Sequence, residues 1–166
     1  MIGKTLHVLA RRLRGISRLV CSARLACVLA AFVSVAGCDE KLSSLTGPSP
    51  ALEPTFTSIQ QEIFTTTDSA GRSACIVCHS NVGRAPAAGL VLLPGVAYNN
   101  VVNVPSRNKA GATLIIPGDP ENSYLVQKLE GNSGITGVRM PLGGPYLTDG
   151  QLLVLKTWIQ RGAPNN

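Results

Sequence analysis

Two cysteines and a histidine share one short string, Cys75-Ile76-Val77-Cys78-His79. Thiols three positions apart can add to the two vinyl groups of one porphyrin. The next residue can then offer an imidazole to the iron from the same turn of backbone. C-x-x-C-H is the spacing of covalent haem attachment. Three other chemistries use a cysteine pair of this kind: a structural zinc site, a thioredoxin-like dithiol and a plain disulfide. Zinc takes four N, S or O ligands, usually Cys or His, and the chain has no second Cys/His pair. A thioredoxin-like dithiol belongs in a βαβ context, and no such alternation is visible.

The remaining cysteines, Cys21, Cys27 and Cys38, lie in or at the end of a leader, as does the other histidine, His7. Residues 1–24 carry Lys4, Arg11, Arg12, Arg14, Arg18 and Arg24 and no acid. Leu25 to Gly37 is an apolar run of thirteen residues. A membrane span needs about 20, so the run reads as the core of a signal peptide covering residues 1–37. It ends Val35-Ala36-Gly37-Cys38, which resembles a bacterial lipobox and makes Cys38 the expected lipidation site. The alternative is an ordinary secretory signal. Arg11-Arg12 invites a twin-arginine reading, but that route carries folded proteins, and a c-type apoprotein crosses unfolded.

The leader also explains the charge. The chain has 15 Lys and Arg against 9 Asp and Glu. Six of the cations precede Leu25 and all the acids follow Cys38, so residues 38–166 balance at nine against nine. The high isoelectric point belongs to the signal and gives no support to nucleic-acid binding. Asp39 to Pro54 is polar and rich in Pro and Ser, and residues 38–54 are expected to be a flexible tether; the alternative is an ordered N-terminal extension lying on the domain. Residues 55–164 then suffice for one small domain.

The elements that must position the string read as helices. Phe56, Ile59 and Ile63 fall at i, i+3 and i+7, with Gln60, Gln61 and Glu62 between them, which predicts an amphipathic helix over 55–64. A polar loop, 65–74, leads into the cysteines, and 83–94 is a Gly/Pro-rich loop. Ala97 to Val102 predicts a short helical turn. Asp119 as N-cap and Pro120 at the first helical position predict a helix that Gly131 stops. Thr148 and Gln151 form a capping box for a last helix, with Leu152, Leu155 and Ile159 on one face, Leu153 and Trp158 flanking it, and Gly162 as its end. Thr113 to Ile116 is the best strand candidate and is short. The expected fold class is all-α, three to five short helices with long loops.

A low-spin electron-transfer haem takes two strong ligands, commonly His/His or His/Met. His79 is the only histidine beyond the leader, and Met140 the only methionine. Met140 stands in a Gly/Pro-bounded loop, Gly137 to Gly144, which suits presentation of its sulfur at a fixed point. It is the candidate distal ligand. The alternatives are a methionine packed on the haem edge, or a five-coordinate iron. Arg84, Arg107, Lys109 and Arg139 could pair with propionates, and Tyr98, Tyr146 and Trp158 could hydrogen-bond them. Solvated surface or core packing is an equal reading for each.

An N-terminal helix, C-x-x-C-H after it, a Met-Pro loop some sixty residues on and a closing helix resemble the class I cytochrome c fold. The strings Pro117-Gly118-Asp119-Pro120-Glu121-Asn122-Ser123-Tyr124-Leu125, Arg139-Met140-Pro141 and Trp158-Ile159-Gln160-Arg161-Gly162-Ala163 resemble a bacterial cytochrome c-like lipoprotein family. The resemblance covers about residues 55–164. It implies one haem c bound covalently to Cys75 and Cys78, His79 as proximal ligand and Met140 as distal ligand. Two features depart from it. The stretch from Phe64 to Cys75 is longer than in compact cytochromes c, and Pro86 is only a candidate for the proline whose carbonyl orients the proximal histidine.

The function this implies is one-electron transfer by a lipid-anchored, periplasm-facing protein of the bacterial cell envelope. Its partners would be redox proteins and, through the anchor, the membrane. Two alternatives stand: a haem sensor or peroxidase-like domain, which needs an open sixth position, and a structural haem subunit of a larger redox complex. No acid/base pair or triad marks an enzyme. If Cys38 carries the lipid, Cys38→Ser releases the domain from membranes, as fractionation and immunoblotting would show; a wild-type protein found soluble after cleavage would refute the anchor.

Overall fold

The apolar stripe of the first helix is buried, and one polar residue is buried with it. The structure is a computed structural model that describes residues 47–166. The signal segment, Cys38 and the first part of the tether therefore lie outside the described residues. Helix α1, Phe56–Ile59, runs on into a π-helical turn, Gln60–Thr65. Phe56, Ile59, Ile63 and Phe64 are buried, and so is Gln60. These positions are i, i+3, i+4, i+7 and i+8, one continuous helical face. Gln60 occupies the i+4 place and is not on the polar side with Gln61. Its amide Nε2 donates to the Leu92 carbonyl at 2.9 Å and to the Thr65 hydroxyl at 3.1 Å.

The N–H groups that open a helix have no intrahelical partner. In α1 the Thr55 hydroxyl accepts from Ser58 N–H, and Asn166 accepts from Phe56 N–H through its side chain and from Thr57 N–H through its main chain. The last residue of the sequence thus caps the first helix of the domain. Helix α2, Ala97–Val101, buries Ala97 and Val101. Helix α3 is Tyr124–Glu130 and helix α4 is Asp149–Gln160. Thr113 to Ile116 takes part only in isolated β-bridges, and no strand forms among the described residues. The architecture is helical, with long connecting loops.

Two helix starts can be compared with the sequence. The Thr148/Gln151 capping box of α4 forms in both directions. Helix α3 begins later than its Asp-Pro signal. Asp119 accepts from Asn122 N–H at 3.2 Å, and its carbonyl accepts from the Ser123 hydroxyl at 2.7 Å, which closes a separate turn before the helix. Gly131 ends α3 in the left-handed region, φ 76°.

The core gathers around Phe56. Its ring lies 5.1 Å from Tyr98 and 5.7 Å from Trp158, centroid to centroid, and meets Phe64 edge-on at 6.5 Å. Trp158 is fully buried from α4, with Leu155 and Ile159. Buried Tyr and Trp need partners for their polar tips. Tyr98 donates to the Ala163 carbonyl and Trp158 to the Pro164 carbonyl, each at 2.9 Å. Leu153 faces out, 59% exposed.

The packed unit begins before Thr55, which corrects the tether's boundary. Leu52 and Ser49 are buried, and Gln151 Nε2 donates to the Ser49 hydroxyl at 2.9 Å. One leucine among prolines and serines shows no periodicity, so composition alone concealed this contact.

The loop between α1 and the cysteines is held by a buried ion pair. Arg72 is wholly inaccessible to solvent. Its Nε lies 3.0 Å from Asp68 Oδ2, and its backbone N–H donates to Asp68 Oδ1 at 3.0 Å. Its remaining guanidinium donors reach the Ile63 carbonyl at 3.1 Å and the Glu62 carbonyl at 2.9 Å. These carbonyls sit in the final turn of the first helix, where the chain leaves acceptors over and the dipole favours a cation. Burial works to raise the Asp68 pKa, and the Arg72 N–H and guanidinium outweigh it, leaving the carboxyl below its ordinary 3.8.

Removing one partner of a buried pair strands the other charge and costs about 3–5 kcal/mol. Arg72→Ala is expected to lose stability of that order in denaturant titration. Because the folded pKa of Asp68 is depressed, its contribution is complete above the unfolded pKa of about 4 and disappears as pH falls through the lower folded value. Asp68→Asn should flatten that acid limb of the stability profile; an unchanged limb would exclude the pair as its source.

Candidate functional site

Cys75–Val77 forms a single tight 3-10 turn. The Ala74 carbonyl accepts from Val77 N–H, and the Cys75 carbonyl accepts from both Cys78 N–H and His79 N–H, at 3.2 and 2.9 Å. The turn therefore groups two thiols and an imidazole on one short arc, held from behind by Arg72. Cys75 is half-buried, and its Sγ donates to the Ile63 carbonyl at 3.3 Å, the same carbonyl that Arg72 engages. Burial pushes the Cys75 thiol up to about 11, although the Arg72 cation works against the rise. Cys78 is exposed, and both cysteines are free thiols.

His79 is oriented from its far side. Its Nδ1 lies 3.1 Å from the Ala87 carbonyl. A carbonyl can only accept, so Nδ1 carries the proton and Nε2 keeps its lone pair for a metal. Desolvation lowers the His79 pKa and prevails over the Ala87 carbonyl, which acts the other way. The ring is thus a neutral donor. The segment after the motif is laced to it: Ala87 N–H donates to the Cys78 carbonyl and Leu92 N–H to the His79 carbonyl. Pro86 is not the orienting residue. Its carbonyl accepts from Gly89 N–H within the turn 87–89, and the following carbonyl, Ala87, reaches the imidazole.

Met140 arrives on the loop between α3 and α4. Its N–H donates to the Lys128 carbonyl at 2.8 Å. Cys75, Cys78, His79 and Met140 all line one cavity of about 730 Å³. Phe64, Leu92 and Leu129 supply much of its apolar wall. Such a volume lies in the upper part of the roughly 300–1,000 Å³ range of small-molecule and cofactor sites.

The lining contains two charged residues, Arg107 and Lys128, and no carboxylate. Of the four cations the sequence offered for propionates, only Arg107 is among them. Its side chain crosses Gly89, where an added Cβ would fall 2.6 Å from Nη1. Arg84 does not line the cavity. Lys109 sits over the Tyr124 ring at 5.1 Å, and Arg139 over Tyr146 at 4.0 Å. Tyr98 and Trp158 are core residues bound to the C-terminal segment, and Tyr146 lies outside the lining. Among the described residues, no three His, Cys, Asp or Glu side chains gather as metal ligands.

Ala87, Arg72 and Lys128 are the functional neighbours that sequence reading missed. Asp68 and Arg72 do stand at i, i+4 in a stretch of small residues, which was the one available signal. Comparisons with protein-family models, curated proteins and solved structures returned no match to this chain.

The unequal burial of the thiols has a direct test. In haem-free protein at neutral pH, iodoacetamide should modify Cys78 well before Cys75, as peptide mapping over time would show. Equal rates would mean that Cys75 is not shielded by Ile63 and Arg72.

Proposed function

We propose that this chain is a mono-haem c-type cytochrome of class I-like fold that passes single electrons outside the cytoplasmic membrane. One observation carries the reading: both thiols of C-x-x-C-H, its imidazole and the only methionine beyond the leader line a single cavity. The donor set suits the group. Cys75 and Cys78 would hold a haem by thioethers, and His79 and Met140 would hold its iron. The haem supplies the ferrous/ferric couple, and the protein tunes its potential.

The chain's own residues do the rest. The Ala87 carbonyl fixes the tautomer and direction of the His79 ring, as the carbonyls that accept from metal-bound histidines do. The apolar wall excludes water and limits the reorganisation that accompanies a change of charge. Arg107 lines the cavity and would offer a guanidinium as counter-charge to the group's carboxylates. As a ligand, Met140 would favour the ferrous state relative to a nitrogen donor and so raise the potential.

The export signal and Cys38 extend the reading to a lipid-anchored, periplasm-facing protein with redox proteins as partners. Among the described residues no helix is long and apolar enough to cross a membrane. The near-zero charge of residues 38–166 gives nucleic acid no purchase.

Protein made with intact haem-attachment machinery should keep its colour on the polypeptide after acid and organic solvent. Extractable haem, or none, would end the proposal. Met140→Ala should abolish the weak long-wavelength sulfur-to-iron band of the ferric protein, lower the midpoint potential and open the iron to carbon monoxide. If wild type already binds carbon monoxide and the variant changes neither spectrum nor potential, a sensor or peroxidase-like role replaces electron transfer.

A further inference from the structure

Lys128 and Arg139 are cations without a carboxylate. Among the described residues neither takes part in an ion pair. Both donate to backbone carbonyls, in opposite directions across one gap. Lys128, in the last turn of α3, donates through Nζ to the Thr136 carbonyl at 2.9 Å and to the Val138 carbonyl. Arg139, on the loop, donates through Nε to the Leu129 carbonyl of α3 at 2.7 Å. Between them Met140 N–H donates to the Lys128 carbonyl. Tyr124, from the first turn of α3, accepts from Thr136 N–H at 2.9 Å. Gly131 lets the loop lie this close, since an added Cβ would meet Arg139 Cδ at 2.8 Å. Lys128 also lines the cavity beside Met140.

We propose that Lys128 and Arg139 are positioning residues that hold the Met140 sulfur on the iron and keep the sixth position closed. The inference rests on the haem reading above and adds to it the device that decides between a closed carrier and an open, ligand-binding haem. Met140 has few tethers of its own: one backbone hydrogen bond and a partly buried side chain. Its position therefore depends on how firmly residues 136–139 are attached to α3. A hydrogen bond from a charged donor contributes more than one between neutral groups. Losing one shifts the closed-to-open equilibrium of the loop by about tenfold or more.

The test compares Lys128→Met, Arg139→Met and Lys156→Met in holoprotein, with Met140→Ala as reference. Lys128→Met keeps the aliphatic stem and removes the donor. Lys156, on α4, pairs with Glu130 of α3 and with Glu121 in the turn before it. It controls for a general loss of stability. The expected result for Lys128→Met and Arg139→Met is a weakened sulfur-to-iron band, a lower midpoint potential and carbon monoxide binding raised about tenfold, with Lys156→Met near wild type. Independently of haem chemistry, hydrogen exchange at the Met140 amide of haem-free protein should quicken in the two clamp variants only. Lys128→Arg, which retains charge and donors, should restore the band. If Met140→Ala shows the expected changes while both clamp variants match Lys156→Met, the clamp is refuted and the haem reading stands. If Met140→Ala itself is silent, the ligation reading fails first.

Discussion

A guanidinium buried at the end of the first helix is the constraint on which the candidate site depends. Arg72 has no water to turn to, so each of its donors must meet an acceptor in the protein. It finds them in Asp68 and in carbonyls that the helix leaves unpaired. That requirement fixes the path of the loop from Thr66 to Ala74 and delivers Cys75 to the carbonyl of Ile63. A mobile loop of this length would have left the thiols free to wander. The same interaction also gives the domain its clearest exposure to acid.

The rest of the site is assembled by division. The first helix and its ion pair hold the cysteine turn. The segment 87–92 folds back on that turn and directs the imidazole. Helix α3 carries the methionine loop, and α4 contributes little to the lining while holding the other helices through Trp158, Leu155 and the bridges from Lys156 to Glu121 and Glu130. Such an arrangement separates the stability of the scaffold from the adjustment of the site. Changes on the buried face of α4 bear on the first, and changes in the loops bear on the second.

What the sequence disclosed follows from the range of the forces involved. Local signals were legible: the apolar stripe of α1, the capping box at Thr148, the glycine stop at Gly131 and the motif Cys75 to His79. Each is written within a few residues. The start of α3 was misplaced because Asp119 satisfies the same preference by closing a turn as by capping a helix. The contacts that direct the site were hidden for a different reason. Gln60 is polar and yet sits in the apolar stripe, because its amide has a carbonyl from residue 92 to meet. The carbonyls of Ala87, Ile63 and Leu129 carry no mark in a sequence, since every residue has one. Met140 was reachable by elimination, but the cations that brace its loop looked like ordinary surface charges.

That bracing has a consequence for how the chain can vary. Lys128 and Arg139 grip main-chain oxygens, so the side chains at positions 129, 136 and 138 are not read by the clamp. Substitution at the exposed positions 136 and 138 leaves the grip intact, whereas exchange of either cation releases it. Ser133 and Gly134 are exposed at the outer tip of the same loop, beyond the points of attachment. Exposed tips of this kind accept added residues readily. The stretch is therefore a natural place for lineages to lengthen the protein, or for a designer to insert a label, while the methionine stays where the helix holds it.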